Sequence, residues 1–238
     1  MYGKPVPPPP RSILLWPKWN YRVKSSGKRR SRQCCDGSAR AAPYLHSLGN
    51  TFASCMEHPV FRLFIALSAG LDLKVFGGDA KDAFAHSPGP STATFLRIDD
   101  AFAEWYEAKM GKPIDRSLVL PIQRALQGHP EAVRLWEEHI NGILSELSFK
   151  STTHDKTIYT AQIDGKLVLL ARQVDDFALA RTHETTARAI FNKIGNSLHL
   201  PGEEEPPFDY FGSLTEFNGY DVEQFGVYIN MSAESYIR

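Results

Sequence analysis

Residues 157–181, TIYTAQIDGKLVLLARQVDDFALAR, decide the fold class. Two β-rich runs, 157–163 and 166–174, flank Asp164-Gly165, and Asp-Gly between such runs is the strongest short-range sign of a hairpin turn. Residues 176–181 add a third run, so the stretch predicts an antiparallel meander with Asp175 and Asp176 at its second turn. These acids interrupt an otherwise apolar sequence, VLLARQV followed by FALA. Adjacent carboxylates at the end of a buried strand repel each other, and loss of water worsens the repulsion. A divalent cation offsets that penalty. The alternative is an ordinary solvated turn, because Asp favours turns on its own account.

Working back along the chain, LDLKVFGGDAKDAF (71–84) supplies a third acid. Leu73, Val75 and Phe76 predict a short strand that ends in Asp79, after which the backbone turns through Ala80–Phe84. Hard oxygen ligands of this kind suit Mg²⁺, which binds one or two carboxylates together with substrate phosphates. Two such ions can clamp the attacking and leaving oxygens of a phosphoryl displacement.

Helices are expected at 54–69, 130–147 and 183–195. In the first, Val60, Leu63, Phe64 and Leu67 fall at i, i+3, i+4 and i+7 and predict the buried stripe, with Gly70 as the stop. The second opens at Pro130, where a missing N–H costs nothing, and carries Val133, Trp136, Ile140, Ile143, Leu144 and Leu147. Shorter elements are expected at 93–98 (strand), 99–109 (helix) and 118–122 (strand), with a loop over 201–209 and a final hairpin over 214–229 around Phe225-Gly226. At the N-terminus, residues 1–12 are Pro-rich and expected extended or disordered. Residues 13–24 and RRSRQCC flank an SSGK turn and predict a basic hairpin, while 36–51 show no period.

Net charge is zero, from 27 Lys and Arg against 27 Asp and Glu, but residues 1–40 hold ten basic side chains and one acid, Asp36. A basic arm on an acidic body is a footprint of phosphate binding, and a solvated tail is its alternative. Three cysteines, two of them adjacent (Cys34 and Cys35), suit neither a disulfide framework nor a CxxC metal knuckle. No apolar run approaches the roughly 18 to 20 residues of a membrane helix, and the start has no signal-peptide pattern. The expectation is an intracellular protein, cytoplasmic (as in a virus-like particle) or nuclear, without a membrane partner.

Five segments occur in the order and spacing of one family: DAKDAF (79–84), RALQGHPEAVRLWEEHINGIL (124–144), DKTIYT (155–160), QVDDFALA (173–180) and FNGYDV (217–222). They resemble DVKTAF, SLYGLKQAPRAWYEKL, DPSLY, YVDDLLI and FLGIEI of copia-type retrotransposon reverse transcriptases. Upstream, KWNYRVK and KRRSRQ resemble that family's KWVFKIK and KARLVAKG. The resemblance spans roughly residues 17–238.

It implies an α/β (α+β) fold, a palm of antiparallel strands backed by helices with a basic fingers hairpin. Residues 1–12 would be a disordered arm, 13–53 the fingers segment, and 54–238 the palm with fingers insertions, truncated before a thumb and RNase H domain. The implied activity is template-directed DNA synthesis by an RNA-directed DNA polymerase of a retrotransposon polyprotein. Asp79, Asp175 and Asp176 would be catalytic and hold two Mg²⁺ ions, Asp176 as the least direct ligand, with Mn²⁺ as substitute. Asp82 and Ala83 would offer backbone N–H groups to the triphosphate, and Phe84 would exclude a ribose 2′-hydroxyl. Gln127 and Gly128 would lie beside the nucleotide and template base, and Arg30 and Arg32 would grip triphosphate. Partners would be an RNA or DNA template with primer, deoxynucleoside triphosphates, and the remaining polyprotein domains (thumb, RNase H, integrase). Departures include Gln173 for an aromatic, GHPEAV for GLKQAP, and AHSPGPS after Phe84. They leave open a catalytically dead or truncated remnant that at most binds nucleic acid, and an unrelated metal-dependent phosphohydrolase.

Overall fold

A computed structural model describes residues 1–23, 27–47 and 51–237. Lys24 and the Ser25-Ser26 part of the expected turn lie outside them. In chain order the elements begin β1 (Ile13–Leu15), β2 (Pro17–Val23), β3 (Arg29–Cys35), α1 (Pro43–Ser47), α2 (His58–Gly70), β4 (Lys74–Ala80) and α3 (Ala83–His86). They continue with β5 (Thr94–Arg97), α4 (Asp100–Met110), β6 (Val119–Pro121), α5 (Ala132–Glu146), β7 (Lys150–Ser151), β8 (Ile158–Ile163), β9 (Lys166–Gln173) and β10 (Asp176–Arg181). The last are α6 (Glu184–Leu198), β11 (Phe208–Ser213), β12 (Glu216–Phe217), β13 (Tyr220–Phe225), β14 (Tyr228–Ser232) and α7 (Glu234–Ile237). Two compact units result: Met1–Ala53 with Phe84–Trp136, and Ser54–Ala83 with Glu137–Arg238. The stretch 84–136 therefore groups with the N-terminal residues.

In the first unit β1 pairs parallel to β5, and β5 antiparallel to β6. Their core gathers Leu15, Leu45, Leu96, Phe102, Leu120 and Leu126. Asp99 caps α4 by accepting from the Phe102 N–H at 2.8 Å, and it also accepts from the Trp19 indole at 2.7 Å. The Pro-rich start has a fixed course: Gly3 N–H donates to Pro121 O (2.9 Å), and Val6 and Val119 exchange backbone hydrogen bonds at 3.0 and 2.9 Å. The pairing stops before Pro7–Pro10, which have no N–H to donate.

β2 and β3 form the expected hairpin, from Pro17 opposite Cys35 to Val23 opposite Arg29. Opposed residues share a face, so Lys18, Arg22, Arg30 and Arg32 project to one side, and Trp19, Tyr21 and Val23 to the other.

In the second unit a six-stranded sheet runs β11-β4-β10-β9-β8-β7. β8, β9 and β10 are the meander read from residues 157–181. Asp164 (φ +53°) and Gly165 (φ +67°) both have positive φ, as a type I′ hairpin turn demands. β4 enters antiparallel between β10 and β11. One face packs on α2 through Phe61, Phe64, Val75, Ala178 and Ala180. The other carries Phe177 and Phe208, the latter stacked on Phe191 of α6 at 5.2 Å.

Two expectations need correcting. The buried stripe of α2 is Phe61, Phe64, Ile65 and Ser68, while Leu63 and Leu67 are exposed. The same i, i+3, i+4, i+7 spacing holds one residue further on, and that phase buries two aromatic rings instead of one. The loop expected over 201–209 ends early, because β11 begins at Phe208 and pairs with β4. Its pairing shifts register between Tyr210 and Gly212, and Gly212 has φ +81°, the geometry of a β-bulge.

Candidate active site

Asp79 and Asp176 are direct partners across the antiparallel pair β4–β10. Opposed residues of such a pair project to the same face, with Cβ atoms about 4.5–5.5 Å apart. That face is the α2 side of the sheet, since Val75 alternates with Asp79, and Ala178 with Asp176, in the same direction. On the other flank of β4, Asp209 of β11 opposes Asp79, so three acids stand in a row across three strands. Asp209 escapes a reading of the sequence, because PGEEEPPFD has the composition of a loop. It is ion-paired with Lys81 at 2.7 Å, and that bond holds the Lys81 ammonium above its ordinary range.

Asp175 lies in the two-residue turn Val174-Asp175 that joins β9 to β10. Its carbonyl accepts from Ala80 N–H at 2.9 Å, which ties the turn to the end of β4. Val174 has φ +56°, a sterically costly conformation for a β-branched residue. Desolvation first, then the charges of Asp175, Asp79 and Glu216, raise the Asp176 carboxyl to about 7. Water still reaches this exposed side chain, which stands on the wall of an open cleft of about 890 Å³ with Gly77, His58, Arg62 and Tyr220. Surrounding protein thins its hydration without sealing it, and the remaining water screens the repulsion.

Among the described residues no three His, Cys, Asp or Glu side chains gather to hold a metal ion by themselves. Mg²⁺ does not need such a cage, because it keeps waters and takes one or two carboxylates plus phosphate oxygens. Two opposed acids, one of them with its charged form disfavoured first by desolvation and then by neighbouring acids, fit that requirement.

Asp82 is exposed with φ +47°, and Ala83 is buried at the start of α3. The other expected site residues lie in the first unit. Phe84 is half-buried and packs against Ala125, Ala132 and Leu135. Arg30 and Arg32 stand on the basic face of β3. The Gln127 carbonyl accepts from Cys35 N–H at 2.9 Å. Gly128 has φ +90°, and a Cβ there would lie 2.1 Å from the Cys35 carbonyl oxygen, so the close approach to β3 alone demands glycine.

The departures from the family pattern have partners. Gln173 accepts from Met56 N–H at 2.8 Å through its side-chain carbonyl. Glu131 is buried and accepts from the N–H and hydroxyl of Ser91 at 2.9 and 2.6 Å, joining GHPEAV to the altered segment after Phe84.

A family model described as Reverse transcriptase (RNA-dependent DNA polymerase) matches residues 7–238, and the chain belongs to that family. Among solved structures, telomerase from Candida albicans, in complex with the TWJ fragment of telomeric RNA, is similar over 94% of this chain at 12% identity and a TM-score of 0.47. The match covers 46% of that chain, so the present chain spans less than half its length. No helix among the described residues is long and apolar enough to cross a membrane.

Proposed function

We propose that this chain performs RNA-directed DNA synthesis within a copia-type retrotransposon polyprotein, with Asp79, Asp175 and Asp176 as its catalytic carboxylates. The observation that carries the reading is the in-register opposition of Asp79 and Asp176, with Asp175 in the adjoining turn, in a chain of the reverse transcriptase family. Bound Mg²⁺ (or Mn²⁺) would supply charge stabilisation for transfer of a nucleotide to a primer 3′-hydroxyl.

Asp79 on β4 and Asp175 and Asp176 at the β9–β10 turn would supply the oxygens, and the Ala80–Asp175 hydrogen bond holds the turn against β4. Residues 13–53 act as the fingers segment and 54–238 as the palm with fingers insertions. Asp82 and Ala83 offer backbone N–H groups to the triphosphate, Phe84 excludes the ribose 2′-hydroxyl, and Gln127 and Gly128 serve the nucleotide. Arg30 and Arg32 grip phosphate. Template, primer and deoxynucleoside triphosphates are the partners, together with the thumb, RNase H and integrase parts of the polyprotein.

Asp175→Asn keeps the side chain's shape and removes a charge. Primer extension with Mg²⁺ is expected to fall about a thousandfold or more, as when a main electrostatic contribution to transfer is lost. The metal-free thermal midpoint should stay level or rise, because one of several crowded acids is gone. A variant that extends primers as well as the parent would show that the acids are misassigned. A parent inactive on every template, even joined to a thumb domain, would favour the remnant reading.

A further inference from the structure

We infer that Arg172 is a positioning residue for the Asp175-Asp176 turn. This rests on the carboxylate assignment above and adds a residue that the family resemblance does not supply. Arg172 lies three positions before Asp175 on β9 and is only 1% exposed. Its Nη1 donates to the carbonyl of Val174 at 3.3 Å. Val174 is the turn residue with φ +56°, bonded directly to Asp175. The other guanidinium nitrogens are also engaged: Nη2 donates to Glu137 Oε1 at 3.2 Å, and Nε donates to the Tyr159 hydroxyl at 3.4 Å. That hydroxyl donates in turn to Asn141 Oδ1 at 2.5 Å. Glu137 Oε2 accepts from Ser54 N–H at 3.0 Å. The turn is thereby connected to α5 and to the segment leading into α2.

A buried ion pair is by itself weak evidence of a role in stability. Replacing a buried ion pair by apolar side chains of similar volume is often neutral or stabilising. What an apolar pair cannot supply is a donor for the Val174 carbonyl. A planar guanidinium can serve that carbonyl, a carboxylate and a hydroxyl at once, which an ammonium cannot do in fixed geometry. The turn conformation is costly for valine, and such conformations persist only where the surrounding structure over-determines them. Arg172 holds the turn from beneath, and Ala80 N–H holds it at the Asp175 carbonyl.

The test uses the full chain and two readouts, Mn²⁺ binding to the nucleic-acid-free protein and primer extension, with Asp175→Asn as the blank. The double variant R172M/E137Q removes the guanidinium, leaves no unpaired buried charge, and keeps an oxygen for Ser54 N–H. Its thermal midpoint is expected within a few degrees of the parent. Mn²⁺ affinity is expected to fall about tenfold or more, the usual effect of losing an outer-shell partner. kcat should fall with it, and KM for primer–template should hold. If the double variant does not fold, R172K decides: it keeps the charge beside Glu137 but cannot span both acceptors, so it should retain the midpoint and lose Mn²⁺ affinity. A stable R172M/E137Q or R172K chain with parental Mn²⁺ affinity and kcat overturns the inference alone. A parent that binds no more Mn²⁺ than the blank and extends no primer overturns the carboxylate assignment, and this inference with it.

Discussion

At the scale of single residues, Asp176 has the clearest consequence for pH. Its folded-state carboxyl titrates near 7, above the ordinary carboxylate range near 4. The folded chain therefore binds more protons than the unfolded chain between about pH 4 and 7, and stability contributed by this group falls as pH rises through that window. The metal-free thermal midpoint should thus gain from acidification between pH 7 and 5 relative to Asp176→Asn. The difference should be modest because the side chain is exposed, and it should shrink when Mg²⁺ is added. A midpoint difference that is flat with pH would show that the crowding is screened away. Asp79, Asp175 and Asp176 stand out in the sequence because nothing local calls for a carboxylate, and Asp175-Asp176 interrupts an apolar run; that Asp79 and Asp176 oppose each other is a tertiary fact. Arg172 breaks the same run, yet its partner Glu137 lies 35 positions away and nothing local couples them. Asp209 was hidden by the Pro-rich stretch before it. Gly128 was expected beside the nucleotide and template base, whereas its close neighbour within the chain, the Cys35 carbonyl, is a tertiary fact.

At the scale of elements, the meander of β8, β9 and β10 was readable because its turn chemistry and its period agree. α2 was readable as a helix but not in phase. Val60, Phe61, Leu63, Phe64, Ile65 and Leu67 give it apolar residues nearly all round, so two stripes of equal spacing compete. Packing resolves the competition: Phe64 is 1% exposed and Leu63 58%. Phe64→Ala should cost about 3–5 kcal/mol, the usual range for emptying a buried aromatic site. Leu63→Gln should stay within about 0.5 kcal/mol. Denaturant midpoints of the two variants check the phase, and the reverse order would restore the stripe expected from sequence. β11 was missed because it is interrupted by a bulge at Gly212 and is placed by β4 rather than by a hairpin of its own.

At the scale of the whole molecule, zero net charge conceals a basic N-terminal arm. On the β2–β3 hairpin Arg22 directly opposes Arg30, and like charges facing across strands are destabilising. A polyanion would relieve that repulsion. Neutralising Lys28, Arg29, Arg30 and Arg32 should weaken binding to primer–template. Its salt dependence should fall by about one unit for each phosphate that no longer meets a cation. Unchanged affinity and slope would make the arm a solvated tail. The strand order of the large sheet has a further consequence, for how the chain is made. β4 ends at Ala80, yet the strands on its two sides are β10, which ends at Arg181, and β11, which ends at Ser213. At roughly 5–20 residues per second, a ribosome delivers the second neighbour about 7 to 27 seconds after β4 itself. Until β10 follows, about 5 to 20 seconds after β4 at the same rate, Val75 and Phe76, both buried in the finished fold, belong to a strand with two open edges, and one edge stays open until β11 is made. Synthesis thus exposes the central strand first and covers it last, which makes the nascent chain a natural client for a chaperone that masks apolar segments.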